Sequence, residues 1–239
     1  MTYDIFYSQG VFSYYFRDTL MAHNTLFTVI FILSCALIGY LIGSINISLI
    51  LSKIYGKDVR SEGSGNAGAT NMTRVFGKKA GIITFFGDFL KSAISTYAGM
   101  ALLGTTGAYI AGICCMIGHA FPIYFKFKGG KGVACLAALV LVMTWDVFLI
   151  LILLFVILAL CFRMISFASV MCAIVYPFVL YLLRTIFFED QSVLGHVFYA
   201  FLAAILVIFL HRKNIVRIFN HEEHKFSLGK KKDKDNEKR

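Results

Sequence analysis

The stretch that decides the fold is residues 133–162, VACLAALVLVMTWDVFLILILLFVILALCF, which is apolar except around Thr144 and Asp146. A bilayer core about 30 Å thick needs roughly 20 helical residues, so this run is too long for one helix with a modest tilt. We interpret it as two membrane spans, 133–145 and 147–162, joined by a tight hairpin. This choice fixes the number of spans and the side of the membrane on which each loop lies.

The rest of the chain carries five further apolar runs of similar character. They lie at residues 26–51, 80–104, 108–124, 165–183 and 193–210. The chain is 59% hydrophobic and only 15% charged, whereas soluble domains have about 45–50% apolar and about 25% charged residues. This composition excludes a soluble enzyme, a disordered chain and a small disulfide scaffold. We therefore predict an all-α polytopic membrane protein with seven transmembrane helices.

The basic residues indicate the orientation. With the N-terminus outside, 20 of the 23 Lys and Arg fall in inside segments, two (Arg17 and Arg184) fall outside, and Lys91 lies within a span. Lys and Arg accumulate in cytoplasmic loops, so we predict an outside N-terminus and a cytoplasmic C-terminus. A six-span chain would place Arg163 and the 211–239 segment opposite the other basic loops. The net charge of +10 therefore indicates topology and not nucleic-acid binding.

The sequence suggests three segments. Residues 1–25 form an N-terminal extension, residues 26–226 form the membrane domain, and residues 227–239 form a basic tail that we expect to be disordered. The six cysteines all lie in apolar runs, without C-x-x-C pairs or metal-site spacing. We therefore expect no metal site.

Two glycine-rich loops are predicted on the cytoplasmic face. They are residues 60–74 (RSEGSGNAGATNMTR) and 118–132 (GHAFPIYFKFKGGKG). Small residues let backbone N–H groups converge on an anion, and each loop leads to the start of a helix, which favours phosphate. The alternative is a pair of flexible loops with ordinary cytoplasmic charge. Two such loops on one face favour phosphate binding.

Neither loop matches a soluble nucleotide motif. The pattern Gly63-x-Gly65-x-x-Gly68 lacks the preceding strand that a dinucleotide fold requires, and Lys131 is followed by Gly132 where a Walker loop has Ser or Thr. Two more polar clusters, residues 163–169 and 211–217, lie on the same predicted face. The shared depth of the four clusters points to one site at the membrane interface.

In this combination the chain resembles the bacterial acyl-phosphate:glycerol-3-phosphate acyltransferases, the PlsY family, from about residue 39 to 226. The residues that carry the resemblance are Gly43-Ser44-Ile45, the loop from Gly63 to Asn71 with Arg74, Asp88 with Lys91, Gly118-His119 with Pro122, the 127–132 segment FKGGKG, Arg163 with Ser166 and Ser169, and His211-Arg212 with Asn214-Ile215. The chain departs from the family pattern at Asn46, Ser92, Lys213 and His221.

The resemblance implies a seven-helix enzyme of the bacterial inner membrane with its active site on the cytoplasmic side. It implies transfer of a fatty acyl group from acyl phosphate to the 1-hydroxyl of sn-glycerol 3-phosphate, giving lysophosphatidic acid and phosphate, as the first acylation of phospholipid synthesis. It also implies that no cofactor or metal is needed, and that a soluble partner enzyme supplies the acyl phosphate.

Loop chemistry and resemblance together give the predicted site. Predicted catalytic residues are Ser64, Arg74, Lys131, His211 and Asn214. Predicted substrate-binding residues are Gly63, Gly65, Asn66, Gly68, Thr70, Asn71, Lys128, Gly129, Gly130, Ser166 and Ser169. Arg74 and Lys131 are expected to neutralise phosphate and developing charge, while Asp88 and Lys91, three residues apart within a span, are expected to pair with each other.

Several alternatives remain open from the sequence. A substrate phosphate oxygen or His211 could accept the hydroxyl proton, Ser64 could form an acyl intermediate, and either loop could hold either phosphate. A transporter or flippase for an anionic metabolite or lipid would also explain the spans and basic loops, although we find no internal repeat. A lipid-linked transferase with a coenzyme A or polyprenyl-phosphate donor is a further alternative.

Overall fold

The computed structural model describes residues 10, 25–187 and 192–226, and all regular structure within them is helical. The helices are α1 (Thr25–Ser44), α2 (Ile47–Ile54), α3 (Ala69–Phe76), α4 (Lys78–Ala120), α5 (Val133–Met143), α6 (Trp145–Phe162), α7 (Ile165–Ile186), α8 (Val193–Leu210) and α9 (Arg212–Phe219). The predicted all-α class is confirmed. The 227–239 tail and most of the 1–25 extension lie outside the described residues.

The outer surface of the helix bundle is apolar. Among the described residues, five helical segments are long and apolar enough to cross a membrane, and the 11-residue α5 is a shorter apolar helix. On α6, the side chains of Leu149, Leu153, Val156 and Leu160 are between 44% and 62% exposed. Exposed apolar patches of this kind are rare on soluble proteins, whereas lipid is a suitable solvent for them.

Helix α4 is a hairpin of two antiparallel helices. The backbone leaves helical geometry at Leu103 (φ −139°, ψ 32°) and Gly104 (φ 54°, ψ −145°). After this break the chain packs against itself so closely that a Cβ on Gly99 would lie 2.2 Å from the Gly107 carbonyl oxygen. The predicted break between the 80–104 and 108–124 spans is therefore present.

Helix α1 packs along the second half of this hairpin through glycine. A Cβ on Gly39 would lie 2.2 Å from the Ala111 carbonyl oxygen, and one on Gly43 would lie 2.2 Å from that of Cys115. Small residues at such positions allow helix backbones to approach closely in lipid. The contact fixes the C-terminal end of α1 beside the end of α4 that carries His119.

The first predicted span, 26–51, is broken where the prediction had it continuous. Helix α1 ends at Ser44, and Asn46 caps α2 by accepting the backbone N–H of Leu49 at Oδ1 (3.1 Å). Asn is a strong helix N-cap because its short side chain satisfies an N–H group that has no partner within the helix. The carbonyl oxygen of Ile45, freed by the break, accepts a hydrogen bond from the Lys91 ammonium at 2.8 Å.

The long apolar run at 133–162 is divided at Thr144, as predicted. Thr144 has a non-helical backbone (φ −153°, ψ 78°) between α5 and α6. Val133 and Phe155, which are equidistant from Thr144 along the chain, line one apolar cavity together, so the two helices fold back on each other. With α4 counted twice, the described part of the chain contains seven apolar segments. The seven membrane crossings and the orientation of the termini stay predictions.

Candidate active site

A cavity of about 260 Å³ lies at the end of the bundle where α3, α4, α5, α7 and α9 meet. Eleven of the sixteen predicted site residues line it: Ser64, Asn66, Gly68, Thr70, Asn71, Arg74, Lys131, Ser166, Ser169, His211 and Asn214. Four polar clusters that are far apart in sequence therefore share one cavity. Gly63, Gly65, Lys128, Gly129 and Gly130 do not line it.

The first glycine loop is held in shape by Asn71. Its Oδ1 accepts the backbone N–H of Ser64 at 2.9 Å, and its Nδ2 donates to the carbonyl oxygens of Val59 (2.9 Å) and Glu62 (3.0 Å). Gly63 lies at φ +57°, and a Cβ there would come within 2.3 Å of Asn71 Oδ1. Asn71 and Gly63 therefore build the loop, and Ser64 is presented to the cavity.

The loop ends at the N-terminus of α3, which opens into the cavity. Gly68 precedes the helix with an extended backbone and no side-chain cap. The first N–H groups of a helix have no partner within it, and the positive end of the helix dipole favours an anion. Ala69 and Thr70 line the cavity at this helix start, so the arrangement can receive a phosphate oxygen.

The second glycine loop, which contains Lys131, is fixed by hydrogen bonds to the end of α4. The N–H of Gly129 donates to the Ala120 carbonyl oxygen (3.0 Å), and that of Gly130 to the His119 carbonyl oxygen (3.1 Å). A Cβ on Gly129 would lie 2.0 Å from the His119 carbonyl oxygen. These glycines thus serve packing, and Lys128 is exposed outside the cavity while Lys131 lines it.

Lys131 lies in a strongly positive environment. Burial lowers its pKa to about 8, Glu223 acts in the opposite direction, and Arg217 and Arg74 lower the pKa further. A buried ammonium beside other cations is stabilised when an anion arrives. The cavity therefore holds positive charge that a phosphate would neutralise.

His211 is a neutral side chain whose tautomer is fixed. It is 2% exposed, and Nδ1 lies 2.8 Å from the Val207 carbonyl oxygen, so Nδ1 must carry the hydrogen. Burial and the charge of Lys131 lower the pKa of His211 to about 4. At neutral pH its Nε2 is therefore an acceptor, suited to a hydroxyl hydrogen.

A buried network joins α7, α9 and the segment that follows α9. The Nδ2 of Asn214 donates to Ser166 Oγ and to Glu223 Oε1, both at 2.8 Å, and Arg217 Nε donates to Glu223 Oε2 at 2.9 Å. Although burial opposes it, hydrogen bonds from Ser166, Arg217 and Asn214 hold the pKa of Glu223 below its usual value. Glu223 therefore fixes Asn214 as an ionised partner.

Sequence reasoning missed Glu223, His224, Asp88 and His119 as cavity residues. The Glu222-Glu223 pair in an otherwise basic segment was the available signal. That segment turns back at His221, which adopts φ +58°. Phe226 N–H then donates to the Arg163 carbonyl oxygen at 2.9 Å. This turn brings Glu223 over the cavity.

Asp88, which lines the cavity, forms a buried ion pair with Lys91. Lys91 Nζ lies 2.7 Å from Asp88 Oδ1 and 3.1 Å from His119 Nδ1. An unpaired charge at this depth is costly, and mutual neutralisation removes most of that cost. The described residues contain no cluster of three or more His, Cys, Asp or Glu side chains that could hold a metal ion.

Comparison with known sequences identifies one family. The sequence model described as glycerol-3-phosphate acyltransferase matches residues 33–221. A glycerol-3-phosphate acyltransferase of Finegoldia magna is 38% identical over 207 residues, which cover 87% of this chain and 99% of that protein. One of Aquifex aeolicus is 36% identical over 205 residues, which cover 85% of this chain and all of that protein.

Two crystal structures have the same fold. Both are of PlsY, an integral membrane glycerol 3-phosphate acyltransferase. The glycerol 3-phosphate form has a TM-score of 0.74 and 35% identity. The match covers 82% of this chain and 96% of the PlsY chain. The lysophosphatidic acid form has a TM-score of 0.72 and 34% identity. The match covers 82% of this chain and 95% of the PlsY chain. The chain therefore belongs to the glycerol-3-phosphate acyltransferase family of the PlsY type.

Proposed function

We propose that this protein transfers a fatty acyl group from acyl phosphate to the 1-hydroxyl of sn-glycerol 3-phosphate, giving lysophosphatidic acid and inorganic phosphate. The reaction would take place at the cytoplasmic face of a bacterial inner membrane. A soluble enzyme would supply the acyl phosphate, and no cofactor or metal would take part.

One observation carries this proposal: the polar cavity shares lining residues with an apolar cavity of about 120 Å³. Phe85, Val133, Phe155 and Ser169 line both cavities. The apolar cavity runs between α5 and α6, and it is lined almost entirely by aliphatic and aromatic side chains. A ligand that fits both must have an anionic head and an apolar tail, as acyl phosphate has.

The cationic side of the cavity suits the donor phosphate. Ser64, the start of α3, Arg74 and Lys131 all line the cavity. Hydrogen bonds that involve a charged group contribute about 1.5–3 kcal/mol each. Because both substrates are anions, this positive field is needed to bring them together, and it also stabilises negative charge that develops on the acyl oxygen during transfer.

A second group of cavity-lining residues suits the acceptor. Ser166, Ser169 and Asn214 offer hydrogen-bonding groups to the glycerol phosphate, and His211 Nε2 can accept the hydrogen of its 1-hydroxyl. The hydroxyl oxygen attacks the acyl carbonyl carbon, a new C–O ester bond forms, and the C–O bond to phosphate breaks.

We propose that the departing phosphate takes the hydroxyl proton. Since the pKa of His211 is lowered to about 4, its imidazole is a weak base, better suited to orienting the hydroxyl than to removing its proton. Acyl phosphate is already an activated donor, so positioning supplies much of the acceleration. A His211→Ala variant should then lose affinity for glycerol 3-phosphate more than it loses turnover.

The decisive experiment uses the full chain in lipid nanodiscs with palmitoyl phosphate and glycerol 3-phosphate. Phosphate and lysophosphatidic acid should form in equal amounts, and only when acceptor is present. Lys131→Ala should lower the rate by at least about a hundredfold, a typical loss for one preorganised charge-stabilising group. Lys128→Ala is the matched control, because Lys128 lies in the same loop but outside the cavity.

Two results would contradict the proposal. Product from palmitoyl coenzyme A and none from palmitoyl phosphate would identify a different donor. If the folded protein gave no product from either donor but carried glycerol 3-phosphate into sealed liposomes, it would be a transporter.

A further inference from the structure

His119 lines the polar cavity next to the Asp88–Lys91 ion pair. Its contact with this pair uses only one of the two ring nitrogens. The side chain is 4% exposed and lines the cavity beside Lys131. Its carbonyl oxygen anchors the second glycine loop by accepting the Gly130 N–H, but that contact involves only the backbone. The imidazole ring itself therefore needs another reason to be buried here.

Lys91 fixes the tautomer of His119. The Lys91 ammonium forms an ion pair with Asp88 Oδ1 at 2.7 Å. It is hydrogen-bonded to the Ile45 carbonyl oxygen at 2.8 Å and to His119 Nδ1 at 3.1 Å. An ammonium only donates hydrogen bonds, so Nδ1 must be the unprotonated nitrogen. The 3.4 Å between Nδ1 and Asp88 Oδ1 is too long for a second bond, since N–H···O distances are about 2.7–3.2 Å.

The hydrogen of the His119 ring is therefore on Nε2. Among the described residues, no acceptor is hydrogen-bonded to this Nε2. A buried donor without a partner is costly, and most buried polar groups have one. Gly130 packs against Nε2 and leaves room for the ring: a Cβ at this position would lie 2.2 Å from the nitrogen and 2.5 Å from the Ala67 carbonyl oxygen.

We propose that His119 Nε2–H binds a phosphate oxygen of a substrate. This proposal rests on the proposed function and adds one ligand to its site. The charges around His119 allow it, because Asp88 is neutralised by Lys91 and Glu223 is occupied by Asn214 and Arg217. The ring then adds one donor to the anion site that Lys131 also lines.

Two substitutions separate phosphate binding from a structural role. In His119→Asn, the side-chain oxygen takes the place of Nδ1 and accepts from Lys91, but the Nε2 donor is lost. In His119→Gln, the side-chain amide nitrogen takes the place of Nε2 and keeps the donor, but the acceptor for Lys91 is lost. Binding of inorganic phosphate to the full chain in nanodiscs is measured by calorimetry, together with the melting temperature.

We expect His119→Asn to weaken phosphate binding by about tenfold, the size of one hydrogen bond to a charged group. His119→Gln should bind within about threefold of the native protein, because the donor is kept. Phosphate binding by His119→Asn equal to that of the native protein would overturn the proposal. A folded His119→Gln protein whose phosphate affinity is reduced by about tenfold or more would also overturn it. The measurement on His119→Gln therefore tests the proposal even if His119→Asn fails to fold.

Steady-state kinetics identify the substrate that carries the phosphate. A rise in KM for palmitoyl phosphate alone in His119→Asn would assign the donor, and a rise for glycerol 3-phosphate alone would assign the acceptor, whereas unchanged KM values for both would overturn the proposal. The calorimetric measurement requires no turnover. Loss of phosphate affinity in a protein that makes no lysophosphatidic acid would therefore contradict the proposed function and leave the His119 assignment intact.

Discussion

His211 and His119 face one cavity with opposite tautomers. The Val207 carbonyl oxygen holds the hydrogen of His211 on Nδ1, and the Lys91 ammonium holds that of His119 on Nε2. One ring therefore offers the cavity an acceptor and the other offers a donor. A hydroxyl needs an acceptor and a phosphate needs a donor, so each ring suits a different part of the reactants.

The lowered pKa of Lys131 predicts a pH dependence. The protonated form binds phosphate, and in the free protein it is lost as pH rises through about 8. Hence kcat/KM should fall about tenfold per pH unit above 8. A bound phosphate raises the pKa of the ammonium, so kcat at saturating substrate should fall only at higher pH. Initial rates between pH 6 and pH 10, at low and at saturating substrate, give the pH dependence of kcat/KM and of kcat.

Lys131→Arg provides the control for this pH profile. A guanidinium remains protonated across the range, so the fall in kcat/KM above pH 8 should disappear, even if the different geometry lowers the plateau. Lys128→Arg should keep the native profile, because Lys128 is outside the cavity. A native profile that stays flat to pH 10 would contradict the assignment of Lys131.

At the scale of elements, the first glycine loop shows what sequence can and cannot predict. Glycine and short polar residues before a helix predicted a phosphate site at the start of α3, and several of these residues line the polar cavity there. They did not indicate which residues face the cavity, because an irregular loop has no side-chain periodicity. Gly63 and Asn71 were both predicted to bind substrate, yet the amide of Asn71 is occupied by Ser64, Val59 and Glu62.

Gly63→Ala tests the coupling between loop and site. Its Cβ would come within 2.3 Å of Asn71 Oδ1, so the contact that holds the Ser64 N–H must shift. We expect kcat/KM to fall at least about tenfold, since displacement of positioning groups by about 1 Å can cost a hundredfold. Coupled phosphate release gives the rate.

Gly56→Ala is the matched control for the loop. Gly56 has a similar backbone angle (φ +68°), but a Cβ there would meet nothing within 4 Å. Both substitutions place alanine in the left-handed region, at a cost of about 1–2 kcal/mol. Equal losses of activity in the two variants would mean that backbone strain, and not the Asn71 contact, controls the site.

The helix breaks were predictable to different degrees. The break at Thr144 followed from the length of the 133–162 run, because lipid thickness limits a span. The break after Ser44 was missed, since residues 26–51 are apolar enough to continue and only Asn46 signals a new helix. Short helices such as α3 and α9 are built by tertiary contacts, which hydropathy does not report.

At the scale of the whole molecule, the short α5 links the lipid to the site. Eleven residues extend only about 16 Å at 1.5 Å per residue, well short of a bilayer core of about 30 Å. The apolar cavity beside α5 is lined on α6 by Ile152, which is 40% exposed at the lipid-facing surface. An acyl chain can therefore pass from the lipid towards the polar cavity without crossing water.

This continuity predicts that Ala137 controls chain length. Ala137 lies midway along α5 and lines the apolar cavity, which holds about 120 Å³. In Ala137→Phe the ring would fill the middle of that space and obstruct the far end of a long tail. We expect the ratio of kcat/KM for decanoyl phosphate to that for palmitoyl phosphate to rise by about tenfold or more, because each excluded methylene forfeits about 0.8 kcal/mol of burial.

Val142→Phe is the control for this substitution, since Val142 lies on the same helix but does not line the cavity. Its ratio should stay near that of the native protein. If Ala137→Phe lowered both rates equally, the ring would be disturbing the reacting groups, and the tail would lie elsewhere. A changed ratio with normal decanoyl turnover can arise only if the tail lies along α5, because the polar cavity is the same for both donors.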